Sequence, residues 1–215
     1  MKEKLNDNKI FNLLEKDWTG NKKSTFVTLG ASNHCSHERE VNDFYSTDPN
    51  ALRLFLNKFK LHTQVWEHAC GMGHLSEVLK EYGYDVLSSD LIDRGYGKTG
   101  VDFLTEEHEN LKVDIITNPP YKYAYEFVDK AMSMVAEGQY VVMFLKVQFL
   151  EGQKRLNLFN KYPPKYVYVN SKRQLCYMNG DMTKKMSSAT CYCWYVWEKG
   201  FTGEPIIRWL DGDLS

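Results

Sequence analysis

The sequence predicts an α/β fold: a doubly wound, mainly parallel sheet with an antiparallel hairpin at its C-terminal edge. Three observations carry that expectation. Short runs rich in Val, Ile and aromatic residues alternate with stretches whose apolar residues recur at helical spacing. The first clear run is followed directly by a tight glycine pair, Gly71-Met72-Gly73. The last two runs have no convincing helix between them, which leaves antiparallel pairing as the natural arrangement.

Residues 1–40 read as an extension, with Ile10, Leu13, Leu14 and Trp18 on one helical face and a loop through Thr19-Gly20-Asn21-Lys22-Lys23. The main domain is expected over 41–215. Pro49 precedes a stretch in which Leu52, Phe55, Leu56 and Phe59 form one apolar face, a helix opened by proline. A strand is expected over 64–68, a helix over 75–82 and a strand over 84–89. Further strands fall at 113–117 and 140–145, with helices at 123–136 and 151–160. The strands at 166–170 and 190–197 then form the hairpin, joined by a polar loop of roughly twenty residues, a length usually functional or disordered.

With 43% hydrophobic and 26% charged residues in 215, the composition is that of a soluble globular protein. Apolar runs such as Tyr140–Leu145 are far too short to span a bilayer. No apolar segment behind Met1-Lys2-Glu3-Lys4 has the form of a secretory signal, so a cytoplasmic protein is expected. The five cysteines lack paired spacing and are expected as free thiols, with Cys191 and Cys193 facing the same way. His34-Cys35-Ser36-His37 has no second half with ligand spacing, and no metal is expected. Net charge is −1, yet residues 146–185 hold nine Lys or Arg against Glu151 and Asp181. Such a run is either a solvated face or a phosphate-binding surface; the second reading makes 146–190 a substrate-facing region.

The segment Glu67-His68-Ala69-Cys70-Gly71-Met72-Gly73 sits where a strand turns into a helix. Glycines there allow close backbone approach to a ligand, and the helix start offers free N–H groups. Asp90 ends the next strand, placed to accept hydrogen bonds from ribose hydroxyls. A dinucleotide site would carry a third glycine where Ser76 stands.

Asn118-Pro119-Pro120-Tyr121 follows the run Val113–Thr117. Proline fixes φ and restrains the preceding residue, so Asn118 is held extended. Its side-chain oxygen and the Pro119 carbonyl then form two acceptors for one NH2 group. Both amine N–H groups are engaged by them in hydrogen bonds, leaving the nitrogen lone pair free to attack an electrophile. Tyr121 is placed to cover the ring that carries the amine.

These motifs in this order resemble those of the S-adenosylmethionine-dependent adenine-N6 DNA methyltransferases, above all small phage or prophage enzymes. The resemblance covers about Val41 to Gly200 and implies a Rossmann-like methyltransferase domain. It implies that Tyr45, Thr47, Asp48 and Pro49, within Asn42–Pro49, touch the methionine end of the cofactor. Glu67, Ala69, Gly71 and Gly73 would form its glycine loop. Asp90 and Leu91 would meet the ribose side, Asp102 and Phe103 the adenine, and Asn118 the transferring centre. Asn118, Pro119, Pro120 and Tyr121 match the catalytic motif; Tyr121, Lys146, Lys172 and Arg173 are expected against DNA. In place of a sizeable target-recognition region stand the basic stretch and the loop from Ser171 to Ser188. Other acceptors stay open on the same chemistry, namely an RNA base amine or a protein glutamine amide, as does an inactive S-adenosylmethionine- or DNA-binding module. The sequence does not choose between monomer and homodimer.

Overall fold

The computed structural model describes residues 45–172, 176–178 and 190–211. The expected N-terminal helix, the segment Asn42–Phe44, Arg173 and most of the loop 171–188 lie outside the described residues.

The first element is a short strand, β1 (Tyr45–Thr47), followed by α1 (Pro49–Leu56). The alternation then runs β2 (Gln64–Glu67), α2 (His74–Glu81), β3 (Asp85–Ser88) and β4 (Asp114–Thr117). A 3₁₀ turn (Tyr121–Tyr123) leads into α3 (Ala124–Met134), then β5 (Tyr140–Lys146) and α4 (Gln153–Lys161). The chain closes with β6 (Tyr166–Asn170), β7 (Cys176–Met178), β8 (Tyr192–Glu198) and β9 (Ile206–Leu210).

Seven strands form one sheet in the order β3-β2-β4-β5-β8-β6-β9. The pairings β3–β2, β2–β4 and β4–β5 are parallel, β8 is antiparallel to β5 and β6, and β9 is parallel to β6. Only β8 therefore runs against the others in this sheet. The expected antiparallel pair forms as β6 and β8, and β9 extends the sheet beyond it. From β2 the chain moves outward to β3 and then returns to β4 on β2's other side. That reversal opens a crevice at the carboxyl ends of β2 and β4, the usual ligand position in open α/β sheets.

Side chains on β5 show why both faces are covered. Val142 and Phe144 pack towards α1 and α2, with Leu52, Phe55, Val78 and Leu79. Val141, Met143 and Leu145 pack towards α3 and α4, with Val128, Ala131 and Leu158. A strand alternates its side chains, so a run buried on both faces is apolar throughout. Each such fully buried side chain contributes about 1.5–3 kcal/mol. The polar ends of buried indoles are also satisfied: Trp194 Nε1 donates to Ala51 O at 3.0 Å and Trp197 Nε1 to Tyr162 O at 3.0 Å. Cys193 and Cys191 share the α3 side.

One described segment between β6 and β8 is β7. It leaves the main sheet and pairs antiparallel with β1, Thr47 opposite Cys176 and Tyr45 opposite Met178.

Candidate functional site

The carboxyl ends of β2 and β4 border a cleft of about 480 Å³, inside the range of about 300–1,000 Å³ usual for small-molecule sites. Thr47, Glu67, Ala69, Asp90, Leu91, Asp102, Phe103, Asn118 and Pro120 all line it. Residues separated by as many as 73 positions in the sequence thus share one wall.

The glycine turn is built by its own hydrogen bonds. Gly73 N donates to Cys70 O at 2.8 Å, and Glu77 N to Gly73 O at 2.9 Å. Gly73 has φ +83, and a Cβ there would lie 2.5 Å from the Tyr96 ring. Asp90 holds the turn from the end of β3: its Oδ2 accepts from Gly71 N at 2.7 Å and its Oδ1 from Ile92 N at 2.8 Å. Each carboxylate oxygen retains a second lone-pair site for a ligand hydroxyl.

Glu67 is buried and accepts a short hydrogen bond from the Ser76 hydroxyl. Burial raises its pKa to about 8, and nearby Asp90 adds to the rise. The carboxyl is therefore largely protonated at neutral pH. Burial likewise pushes the Cys70 thiol up to about 12, with Glu67 and Asp90 adding to it. Cys70 remains a thiol and is no nucleophile. His74 Nδ1 lies 2.6 Å from Ser46 Oγ, which ties the start of α2 to β1.

Several expected contacts stand elsewhere. Asp48 and Pro49 belong to the start of α1, where Asp48 accepts from Asn50 N at 2.9 Å as the helix cap. Gly71, Gly73 and Pro119 shape the backbone around the cleft without lining it. Tyr45 contributes the first position of β1. Tyr121 faces a smaller hollow of about 160 Å³ next to the main cleft, shared with Lys146, Phe149 and Arg155. The Lys146 ammonium sits 5.0 Å from the centre of the Tyr121 ring, and the Tyr192 ring lies 5.9 Å away. Lys172 is exposed just past β6.

Other wall residues carried no expectation: Ser46, His68, His74, Arg94, Lys122, Tyr123 and Phe127. His68 and His74 flank the glycine turn, but nothing in the linear sequence indicates that Phe103 and Phe127 pack on His68 or that Ser46 meets His74. Phe127 falls six positions after Tyr121, in the first turn of α3, and that proximity was the one available signal.

Among solved structures, the chain resembles a protein from Listeria monocytogenes assigned as a class I S-adenosylmethionine-dependent methyltransferase. The TM-score is 0.53 at 14% identity, covering 87% of this chain and 72% of that one. A protein from Pyrococcus horikoshii assigned as an RNA methyltransferase gives 0.52 at 16% identity, covering 83% and 98%. A modification subunit assigned to a type I restriction enzyme of Vibrio vulnificus gives 0.55 at 12% identity. That match covers 85% of this chain and 48% of the subunit, so this chain spans about half of it. The shared fold is the Rossmann-like methyltransferase fold. No family model matches the chain, and no curated protein matches it in sequence.

Proposed function

We propose that the chain is an S-adenosylmethionine-dependent methyltransferase acting on adenine N6 of DNA. One observation carries the reading: Asn118, at the end of β4, lines the same cleft as Glu67, Asp90 and Asp102. An acceptor for an amine thereby borders a cleft with the size for a nucleoside and with the carboxyl groups of Glu67, Asp90 and Asp102 on its wall. The residues also fit the cofactor in polarity, since the buried Thr47 Oγ1 on this wall has no hydrogen-bond partner among the described residues. When bound, S-adenosylmethionine supplies an electrophilic methyl group on a sulfonium.

The chain's own groups prepare the acceptor. Asn118 Oδ1 and the Pro119 carbonyl each accept a hydrogen bond from one N–H of the amine, an electrostatic arrangement fixed before reaction. A base reaches such a site only by leaving the duplex. Its ring stacks on Tyr121, a contact worth about 1–3 kcal/mol, and takes the place that the Lys146 ammonium holds over that ring. Lys146 is then released towards a phosphate, joined by Lys172 and Arg173 from the 146–190 region of the methyltransferase domain, 41–215. Pro119 and Pro120 keep the ledge rigid. The basic stretch supports nucleic acid over a protein amide, and the restriction modification subunit among the proteins of this fold favours DNA.

The test is transfer of labelled methyl from S-adenosylmethionine to unmethylated DNA, RNA and cell protein in parallel, followed by digestion. Label in N6-methyldeoxyadenosine supports the reading. Label confined to RNA or protein reassigns the acceptor, and label in none of them defeats it.

A further inference from the structure

His68 stands just past β2, between Glu67 and the glycine turn. Glu67 faces Ser76 of α2, whereas His68 turns to the other side of the sheet. Its ring centre lies 3.6 Å from that of Phe103, 5.2 Å from Phe127 and 6.0 Å from Trp66. It is only 1% exposed, yet it lines the cleft beside Asp102, Phe103 and Leu104. Neither Nδ1 nor Nε2 has a hydrogen-bond partner among the described residues.

That combination is costly for a purely structural residue. A buried donor or acceptor without a partner leaves its lost hydration uncompensated, whereas an apolar side chain of similar size would carry no such penalty. His74 on the same wall is different, since Ser46 engages it at 2.6 Å. Burial lowers the His68 pKa to about 3, so the ring is neutral at physiological pH. It then offers one N–H donor and one lone pair. A neutral imidazole among aromatic rings brings no charge to offset the desolvation of a carboxylate or an ammonium group. It suits the edge of a neutral planar heterocycle.

Resting on the reading of the cleft as the S-adenosylmethionine site, we infer that His68 is a specificity-determining residue that donates from a ring nitrogen to N1 of the cofactor's adenine. Asp102 completes the pattern on this wall. Its Oδ1 accepts from Leu104 N at 3.0 Å, and the carboxylate retains acceptor capacity for the exocyclic amine. The wall thus presents a donor and an acceptor to a base edge that carries an acceptor and a donor. Hypoxanthine reverses both groups on that edge and is rejected.

The experiment is calorimetric titration of the wild-type chain and His68→Leu with S-adenosylhomocysteine and with S-inosylhomocysteine. Thermal melts of both ligand-free proteins run alongside. The expected result is a tenfold or larger loss of adenosyl affinity in the variant, a smaller loss of inosyl affinity, and a ligand-free melting temperature unchanged or raised. Equal adenosyl affinity and an unchanged adenosyl-to-inosyl ratio would overturn the role of His68 while leaving the cofactor site standing. Absence of S-adenosylhomocysteine binding by the wild-type chain would overturn both. Should His68→Leu fail to fold, ¹⁵N-histidine spectra of the wild-type chain decide. Saturating S-adenosylhomocysteine should move the His68 ring-nitrogen signals, and unmoved signals would overturn the inference.

Discussion

Asp90 Oδ2 accepts a hydrogen bond from the backbone N–H of Gly71 at 2.7 Å, so the end of β3 clamps the glycine turn that follows β2. A second bond from Ile92 N, at 2.8 Å, fixes the carboxylate in place. Hydrogen bonds to a charged group contribute about 1.5–3 kcal/mol each. Asp90→Ala is therefore expected to destabilise the chain by about that amount or more, and to weaken S-adenosylmethionine binding. Urea unfolding and calorimetry measure the two effects. A variant with wild-type stability and affinity would show that the clamp is incidental.

Gly73 combines a left-handed backbone with the Tyr96 ring packed on its Cα. That ring is held by Tyr96 Oη donating to Glu77 at 2.5 Å and by Lys80 Nζ donating to Tyr96 Oη at 2.7 Å. Left-handed geometry costs a residue with a Cβ about 1–2 kcal/mol, and the clash adds to it. Gly73→Ala should lower the denaturation midpoint. Adding Tyr96→Ala should restore the steric part only, leaving the backbone cost visible.

Glu67 gives a dependence on pH with a definite sign. Its carboxyl ionises near 4.5 in the unfolded chain and near 8 when folded. Between those values the folded state holds a proton that the unfolded state has released, so stability falls as pH rises through this window. Glu67→Gln removes the ionisation. The variant should gain stability relative to wild type as pH goes from 5.5 to 7.5. A difference that stays constant across that range would contradict the protonated, buried carboxyl.

The proposed phosphate contacts have their own signature. Each phosphate neutralised contributes about 0.9 to the slope of log affinity against log salt. The double change Lys172→Ala/Arg173→Ala should weaken DNA binding and flatten that slope by roughly one to two. Fluorescence anisotropy over a salt series measures it, and an unchanged slope would leave these residues as ordinary surface.

Features set by local pattern were legible in the sequence. The apolar runs of β4 and β5, the spacing of Leu52, Phe55 and Leu56 in α1, and the turn at Gly71 and Gly73 all follow from periodicity or backbone freedom. Short or exposed elements were not. β1 has three residues, too few to show a period, and β9 carries Ile206, Ile207 and Trp209 on an exposed edge with Arg208 among them. The site divides the same way. Asn118 and Asp90 announce themselves by their place at strand ends. The burial of His68 depends on Phe103, thirty-five positions away, and the cover over Tyr121 on Lys146, twenty-five positions away. Only the folded chain brings those pairs together.

Asn118 is the residue on which the catalytic reading turns. The most direct measurement is single-turnover methyl transfer to DNA by wild type and Asn118→Ala, with S-adenosylhomocysteine affinity determined for both. The account predicts that the variant retains cofactor affinity within a few-fold and loses transfer by at least a hundredfold, the scale seen when one preorganised donor or acceptor is removed. Transfer near the wild-type rate from a variant that binds cofactor normally would contradict it.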